Sequence, residues 1–185
     1  CWWTGLNGSE TVIVPSCWNN ELRLLNYEGK AWYQKEFELD KSQFVLFEFG
    51  SVMTKADIWI DNEWAFEHYG AFTEFKFIRF VEAGTHTITV RADSTFDAQS
   101  FPQRYTDWFN YGGIARDVSF SKLSGISILT NHMVYTLSDD LKSVKIHAEL
   151  ELYNASLENS TSMLAVTVGE NEIYKGNVSI EGGKT

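Results

Sequence analysis

An aspartate, a cluster of aromatics, a Gly-Gly pair and an arginine fall within Tyr105-Thr106-Asp107-Trp108-Phe109-Asn110-Tyr111-Gly112-Gly113-Ile114-Ala115-Arg116-Asp117-Val118. That mixture suits the recognition of a sugar. A carboxylate accepts hydrogen bonds from two hydroxyls at once. An aromatic ring offers an apolar face to the C–H side of a pyranose beside fixed polar groups. The glycines permit a sharp turn or a close approach of two backbones. Asp107 is the leading candidate for ligand contact, with Asn110 and Trp108 beside it. Each has a plainer reading. A loop aspartate caps backbone amides, Asn110 stabilises its turn, and aromatics of a β protein more often fill a core or a seam. At most one of Trp108, Phe109 and Tyr111 is expected to touch ligand.

Such a loop needs a scaffold, and the scaffold reads as strands. Sustained 3.6-residue periodicity is missing, whereas period 2 recurs. Tyr33, Lys35, Phe37 and Leu39 alternate with Gln34, Glu36 and Glu38. Phe44–Phe49 is apolar on nearly both faces, as a central sandwich strand would be. Ala56, Ile58 and Ile60 oppose Asp57 and Asp61, and Asp61-Asn62 looks like a hairpin tip. His86, Ile88, Val90 and Ala92 oppose Thr87, Thr89 and Arg91 after a turn at Ala83-Gly84, and Val118 and Phe120 begin another strand. Short strands with turn signals between them predict an all-β sandwich. The passage Asp93 to Gly113 is the long irregular exception, and loops of that length in compact domains serve function or are disordered. Its aromatic content argues for function. Near Leu123-Ser124-Gly125 the composition changes: Trp disappears and Leu, Ser and β-branched residues take over. Val144, Ile146, Ala148, Leu150 and Leu152 alternate with polar residues, and Leu164, Val166 and Val168 repeat the pattern, which predicts a second sandwich.

Composition narrows the partners. The chain has 185 residues, 44% hydrophobic and 15% aromatic, with two prolines and a formal charge of −10. That length accommodates one ordinary domain and part of another, and the charge disfavours nucleic acid and anionic membrane surfaces. No apolar run reaches the roughly 18 residues of a membrane span. The start at Cys1-Trp2-Trp3 and the loop-like Glu181–Thr185 read as cuts in a longer polypeptide, a processed N-terminus being the alternative. Cys1 and Cys17 are too few for a disulfide framework. Asn-x-Ser/Thr triplets at Asn7, Asn154, Asn159 and Asn177 would carry glycans in a secreted eukaryotic protein, but chance occurrence in Ser/Thr-rich strands is the favoured reading.

Four ordered segments resemble the N-terminal domain of family 2 glycoside hydrolases, the group of β-galactosidases, β-glucuronidases and β-mannosidases. Val14-Pro15-Ser16-Cys17-Trp18 looks like the family's Val-Pro-x-x-Trp. Asn26–Phe37 resembles its Tyr-x-Gly-x-x-Trp-Tyr-x-x-x-Phe strand in the β-glucuronidase form. Ala56–Glu63 with Glu67–Phe75 is similar to Val-Trp-Val-Asn-Gly … His-x-Gly-Gly-Tyr-x-x-Phe, and Asp107–Val118 to the Asp … Gly-Ile-x-Arg-x-Val segment. The resemblance implies a jelly-roll (galactose-binding-like) β-sandwich over 1–122, then the start of an immunoglobulin-like β-sandwich over 123–185. Such a sandwich needs about 100 residues, so the second is expected to be incomplete.

The same resemblance puts Asp107 where the family's aspartate reaches the sugar. It also places both catalytic glutamates in a downstream (β/α)₈ barrel. Retaining glycosidases use two carboxyl groups about 5–5.5 Å apart, and nothing here alternates strand with helix. The dipeptides Asn20-Glu21, Asn62-Glu63 and Asn171-Glu172 superficially match the family's acid/base signature but fall in turn-like contexts. We therefore expect no catalytic residue in this chain and no hydrolysis by it alone. The expected partners are a terminal β-linked sugar in the full-length enzyme and the downstream barrel of the same chain. An aromatic seam exposed in isolation would also favour a homo-oligomer. A carbohydrate-binding module without a barrel is the rival reading, and a purely structural sandwich the third.

Smaller features complete the expectations. His68, His86, His132 and His147 are scattered, so no metal and no cofactor is expected. Arg116 is read as pinning its loop or pairing with a carboxylate. The family's His-x-Gly-Gly-Tyr stands here as His68-Tyr69-Gly70-Ala71-Phe72, losing a glycine and a hydroxyl. Some β-galactosidases have Asn at the place of Cys17, where it contributes to the galactose pocket, and a thiol replaces an amide poorly. Asn19 or Asn20 would have to compensate. A soluble cytoplasmic bacterial enzyme is favoured over a secreted one.

Overall fold

A computed structural model describes residues 10–100, 103, 107 and 109–185. The chain divides into two compact units, Cys1–Ser121 and Lys122–Thr185. Among the described residues there is no α-helix; two 3-10 turns, Trp18–Asn20 and Leu22–Leu24, are the only helical pieces.

In the first unit the alternating segments become β1 (Ser16–Cys17), β2 (Lys30–Leu39), β3 (Gln43–Phe49), β4 (Val52–Met53) and β5 (Lys55–Ile60). They are followed by β6 (Glu63–Tyr69), β7 (Phe75–Val81), β8 (Gly84–Asp93), β9 (Gly113–Ile114) and β10 (Val118–Lys122). One sheet has the order β2-β8-β5-β6, a second β10-β3-β7, and a small third β1-β9-β4. Asp61 and Asn62 form the two-residue tip between β5 and β6, both with positive φ (50° and 69°), the handedness a tight hairpin requires.

The two larger sheets share one core, which makes the unit an all-β jelly-roll-type sandwich. Ala56, Ile58 and Ile60 of β5, with Val90 and Ala92 of β8, cluster with Val45, Phe47 and Phe49 of β3 and Phe75, Phe77 and Val81 of β7. Aromatic rings pair along one sheet and across to the other. Phe49 stacks on Phe75 (4.9 Å), Phe47 on Phe77 (5.1 Å), and Phe66 of β6 on Phe77 (5.1 Å). Offset stacking suits the ring quadrupole and adds to area burial. Each fully buried ring or branched side chain contributes roughly 1.5–3 kcal/mol. The high aromatic content is thus largely structural.

Alternation does not equal exposure everywhere. Asp57 and Thr89 lie on the face of the four-stranded sheet opposite the core, yet they are only 6% and 1% exposed. Asp57 Oδ2 accepts from Arg91 Nε (2.8 Å) and Nη2 (2.5 Å). The Arg91 guanidinium stands 5.7 Å from the centre of the Trp32 ring, which packs on Trp59 at 5.3 Å. A charge pair is therefore shielded by tryptophans where the sequence pattern implies solvent.

The second unit holds two hairpins: β11 (Ile126–Leu137) with β12 (Val144–Asn154), and β13 (Ser160–Val168) with β14 (Asn171–Ile180). Ile146, Leu150, Leu152, Leu164 and Val166 are half-buried, as their alternation predicts, whereas Val144 and Ala148 of the same set are exposed. Val168, the last residue of β13, is exposed. Asn154 is fully buried. Its Nδ2 donates to the Glu158 and Ile180 carbonyls (2.8 and 2.9 Å), and its Oδ1 accepts from the Ser156 amide and hydroxyl. That side chain is spent on structure, which removes one of the four glycan triplets.

Candidate functional site

The Gly112-Gly113 pair is where the long irregular loop returns to the sheet, and its position depends on contacts made at the other end of the unit. The Trp18 amide donates to the Gly112 carbonyl at 3.0 Å, and the Gly112 amide donates to Asn19 Oδ1 at 2.7 Å. A Cβ on Gly112 would lie 1.9 Å from the Trp18 ring, and one on Gly113 would lie 2.6 Å from the Ser16 carbonyl oxygen. Gly113 also has φ of +129°, a region that side chains disfavour. Only glycines let the two backbones meet here.

Asn19 is the hub of this corner. It is 4% exposed, and its Nδ2 lies 3.0, 3.0 and 3.2 Å from the carbonyls of Leu24, Leu25 and Tyr27. One amide thus ties the 3-10 turns, the Tyr27 segment and the Gly-Gly turn together. Trp18 reinforces it through Nε1, which donates to the Tyr27 carbonyl at 3.2 Å. Tyr33 reaches beneath the same turn. Burial first, then the nearby Cys17, pushes its phenol up to about 12 against the effect of its Ile114 backbone hydrogen bond.

The start of the loop is stitched to the same region. Ser94 N donates to the Gly29 carbonyl (2.9 Å), Gly29 N to Ser94 Oγ (3.2 Å), and Asn110 Nδ2 to the Ser94 carbonyl (3.1 Å). Between these fixed strips lies a cleft of about 180 Å³, lined by Asn19, Leu25, Asn26, Tyr27, Glu28, Phe96, Phe109 and Asn110. Three of its eight lining residues are aromatic and three are asparagines. Phe109 is 45% exposed and contacts Tyr111 with ring centres 4.9 Å apart.

The sequence candidates separate on this framework. Asn110 lines the cleft while holding Ser94, so it serves the turn and the cleft together. Asp107 sits at a bend, exposed, and outside the cleft lining. Trp108 lies outside the described residues. Arg116 pins its surroundings through Nη1, which donates to the Phe72 carbonyl (3.3 Å), a backbone partner rather than a carboxylate. His68 hydrogen-bonds Thr73 Oγ1 at 2.9 Å and stacks on Phe75 at 4.3 Å, and burial holds its pKa below the usual range. Among the described residues no cluster of three or more His, Cys, Asp or Glu could hold a metal ion.

Cys17 is half-buried and its thiol is pushed up by burial, which suppresses the reactive thiolate. Asn19 cannot substitute for an amide there, since its own polar atoms are committed to backbone. Asn20 is exposed. The three Asn-Glu dipeptides fall at the end of a 3-10 turn, at the β5–β6 tip and at the start of β14. Sequence reasoning missed Asn26, Tyr27 and Phe96 as cleft residues. Asn26 and Tyr27 sat inside a segment read only as a strand lead-in, and Phe96 opened a loop whose path no local pattern reveals.

Comparison with known proteins agrees with the sandwich and its motifs. The model of the family described as "Glycosyl hydrolases family 2, sugar binding domain" matches residues 20–124. A solved β-galacturonidase of that family from Eisenbergiella tayi, bound to galacturonate, superposes with a TM-score of 0.81 at 29% identity, over 97% of this chain and 32% of that one. A β-glucuronidase of Streptococcus agalactiae is 25% identical over 174 residues, 79% of this chain and 29% of its own length. A β-galactosidase of Thermoanaerobacter pseudethanolicus is 28% identical over 130 residues, 65% of this chain and 18% of its own. The chain thus spans less than a third of the length of each.

Proposed function

This chain belongs to glycosyl hydrolase family 2 through its sugar-binding domain, and from that premise we propose that it is the non-catalytic N-terminal portion of a retaining β-glycosidase of the β-glucuronidase or β-galactosidase type. The family match over residues 20–124 carries this reading. In the whole enzyme a downstream (β/α)₈ barrel supplies the two carboxyl groups, one as acid/base and one as nucleophile, for cleavage through a covalent glycosyl intermediate. The first unit supports that barrel. Exposed Asp107 accepts hydroxyl donors of the terminal sugar, and Asn110 and Trp108 complete the chain's share of the pocket.

The second unit is the opening of an immunoglobulin-like sandwich. Exposed Tyr135, Leu137 and Val144, which lie on one hairpin face, fit a sheet that further strands cover. No described helix is long and apolar enough to cross a membrane. The enzyme is read as cytoplasmic in preference to secreted, and as capable of homo-oligomerisation.

Nitrophenyl β-galactoside, β-glucuronide, β-mannoside and β-glucoside offered to the 185-residue chain and to the full-length gene product test this. Turnover only by the full-length protein is expected, with kcat/KM lowered in its Asp107→Asn variant. Turnover by the 185-residue chain at matched purity would overturn it. Inactivity of both would favour the alternative, a stand-alone carbohydrate-binding module, for which the cleft beside Asn110 is the specific observation.

A further inference from the structure

We propose that the cleft lined by Asn26, Tyr27, Phe96, Phe109 and Asn110 is a second carbohydrate subsite, one that takes a single uncharged pyranose unit without help from any other domain. This rests on the carbohydrate reading above and shares Asn110 with it, but not Asp107, which is outside the cleft. Size comes first. A cleft of about 180 Å³ holds the equivalent of about six waters and falls below the roughly 300–1,000 Å³ of pockets for drug-sized ligands. One ring fits; a disaccharide would project into solvent.

Chemistry comes second. Phe96, Phe109 and Tyr27 supply the aromatic surface that ring C–H groups require, and Phe109 and Tyr27 are 45% and 41% exposed. Asn110 spends one of its two N–H donors on the Ser94 carbonyl, so a donor and the amide oxygen remain for hydroxyls. Asn26 adds a second exposed amide.

Pre-organisation comes third. Tyr27 is anchored at both ends: its hydroxyl donates to the Lys30 carbonyl (2.9 Å) and its own carbonyl accepts from Trp18 Nε1 (3.2 Å). Asn110 is held in turn by its bond to the Ser94 carbonyl (3.1 Å). Little ordering is left for a ligand to offset, and a pre-formed site keeps affinity that a mobile one loses.

Charge sets the preference. None of the eight lining residues is Lys, Arg or His, and Glu28 is acidic. A uronate carboxylate entering here would give up water and meet no cation among the described lining residues. The cleft therefore discriminates against the charged sugars that a glucuronidase-type pocket accepts. In the whole enzyme it would engage a neutral residue elsewhere on an oligosaccharide.

The test is an amide ¹H–¹⁵N NMR titration of the 185-residue chain with methyl β-D-galactopyranoside, methyl β-D-glucopyranoside and methyl β-D-glucuronide. Saturable shifts at the Asn26, Tyr27 and Asn110 resonances are expected for the neutral glycosides in the millimolar range, with the uronide several-fold weaker. Phe109→Ala should weaken the neutral glycosides about 3- to 10-fold, the value of one aromatic face, and its surface position preserves the fold. Absence of saturable shifts, equal uronide binding, or an unchanged Phe109→Ala would each overturn the proposal. The titration contains no barrel, so its failure leaves the glycosidase reading standing, and an inactive full-length protein leaves the subsite standing.

Discussion

Replacing Asn19 by alanine should destabilise the first unit by about 2–4 kcal/mol, a figure that follows from its partners one by one. The Leu24 carbonyl keeps the Tyr27 amide (2.9 Å), and the Tyr27 carbonyl keeps Trp18 Nε1 (3.2 Å). The Leu25 carbonyl loses its amide but belongs to an exposed residue, so water replaces it cheaply. Gly112 is buried, and its N–H loses the one acceptor it has, Asn19 Oδ1. An orphaned buried donor costs about 1–3 kcal/mol, and the lost amide contacts add about 1 kcal/mol. For a chain of this size each kcal/mol moves Tm by about 2–4 °C, so a drop of about 5–15 °C is expected. All seven tryptophans lie at or before residue 108, so their fluorescence reports melting of the first unit alone.

A companion variant sharpens the test. Asn19→Asp keeps an acceptor for Gly112 but turns a second oxygen toward three carbonyls at 3.0–3.2 Å. Burial and that repulsion would raise its folded pKa above the usual carboxylate value. The folded state then binds more protons than the unfolded one, so the variant's stability is highest at low pH and falls as pH rises through the raised value. A Tm loss under about 2 °C for Asn19→Ala, or an Asn19→Asp protein that melts like wild type at pH 7, would refute the hub role.

Three other perturbations follow from the geometry. Gly112→Ala places a methyl carbon 1.9 Å from the Trp18 ring and should cost at least about 1–3 kcal/mol, read as a lower urea midpoint by tryptophan fluorescence. Arg91→Met strands the shielded Asp57 carboxylate and should cost about 3–5 kcal/mol, whereas Arg91→Met with Asp57→Leu should recover most of it; thermal melts of both decide. His86 Nδ1 lies 2.6 Å from Asp61 Oδ2 and Nε2 lies 2.9 Å from the Glu82 carbonyl, and the Asp61 hydrogen bond raises the His86 pKa despite burial. Its contribution, about 0.5–1 kcal/mol, is complete below the ordinary histidine value and lost as pH rises through the raised one. The Tm gap between wild type and His86→Ala should therefore be wider at pH 6 than at pH 9.

What the amino-acid order determined by itself was everything carried by neighbours. Alternation over Tyr33–Leu39, Ala56–Ile60 and Val144–Leu152 was enough for strands, because side chains on successive residues must point to opposite faces. The Asp61-Asn62 tip was legible because few residues accept positive φ, and the ordered motifs marked the family. What only the tertiary structure decided was which distant groups meet. The bond from Gly112 to Asn19 spans 93 positions, and no window of sequence contains both. Asp57 and Thr89 read as solvent-facing, yet they are covered because Trp32, Trp59 and Arg91 come together from three different strands. The cleft likewise exists only where residues 25–28, 96 and 109–110 converge. Periodicity records which way a side chain points, whereas burial and partnership depend on what the rest of the chain brings to that point in space.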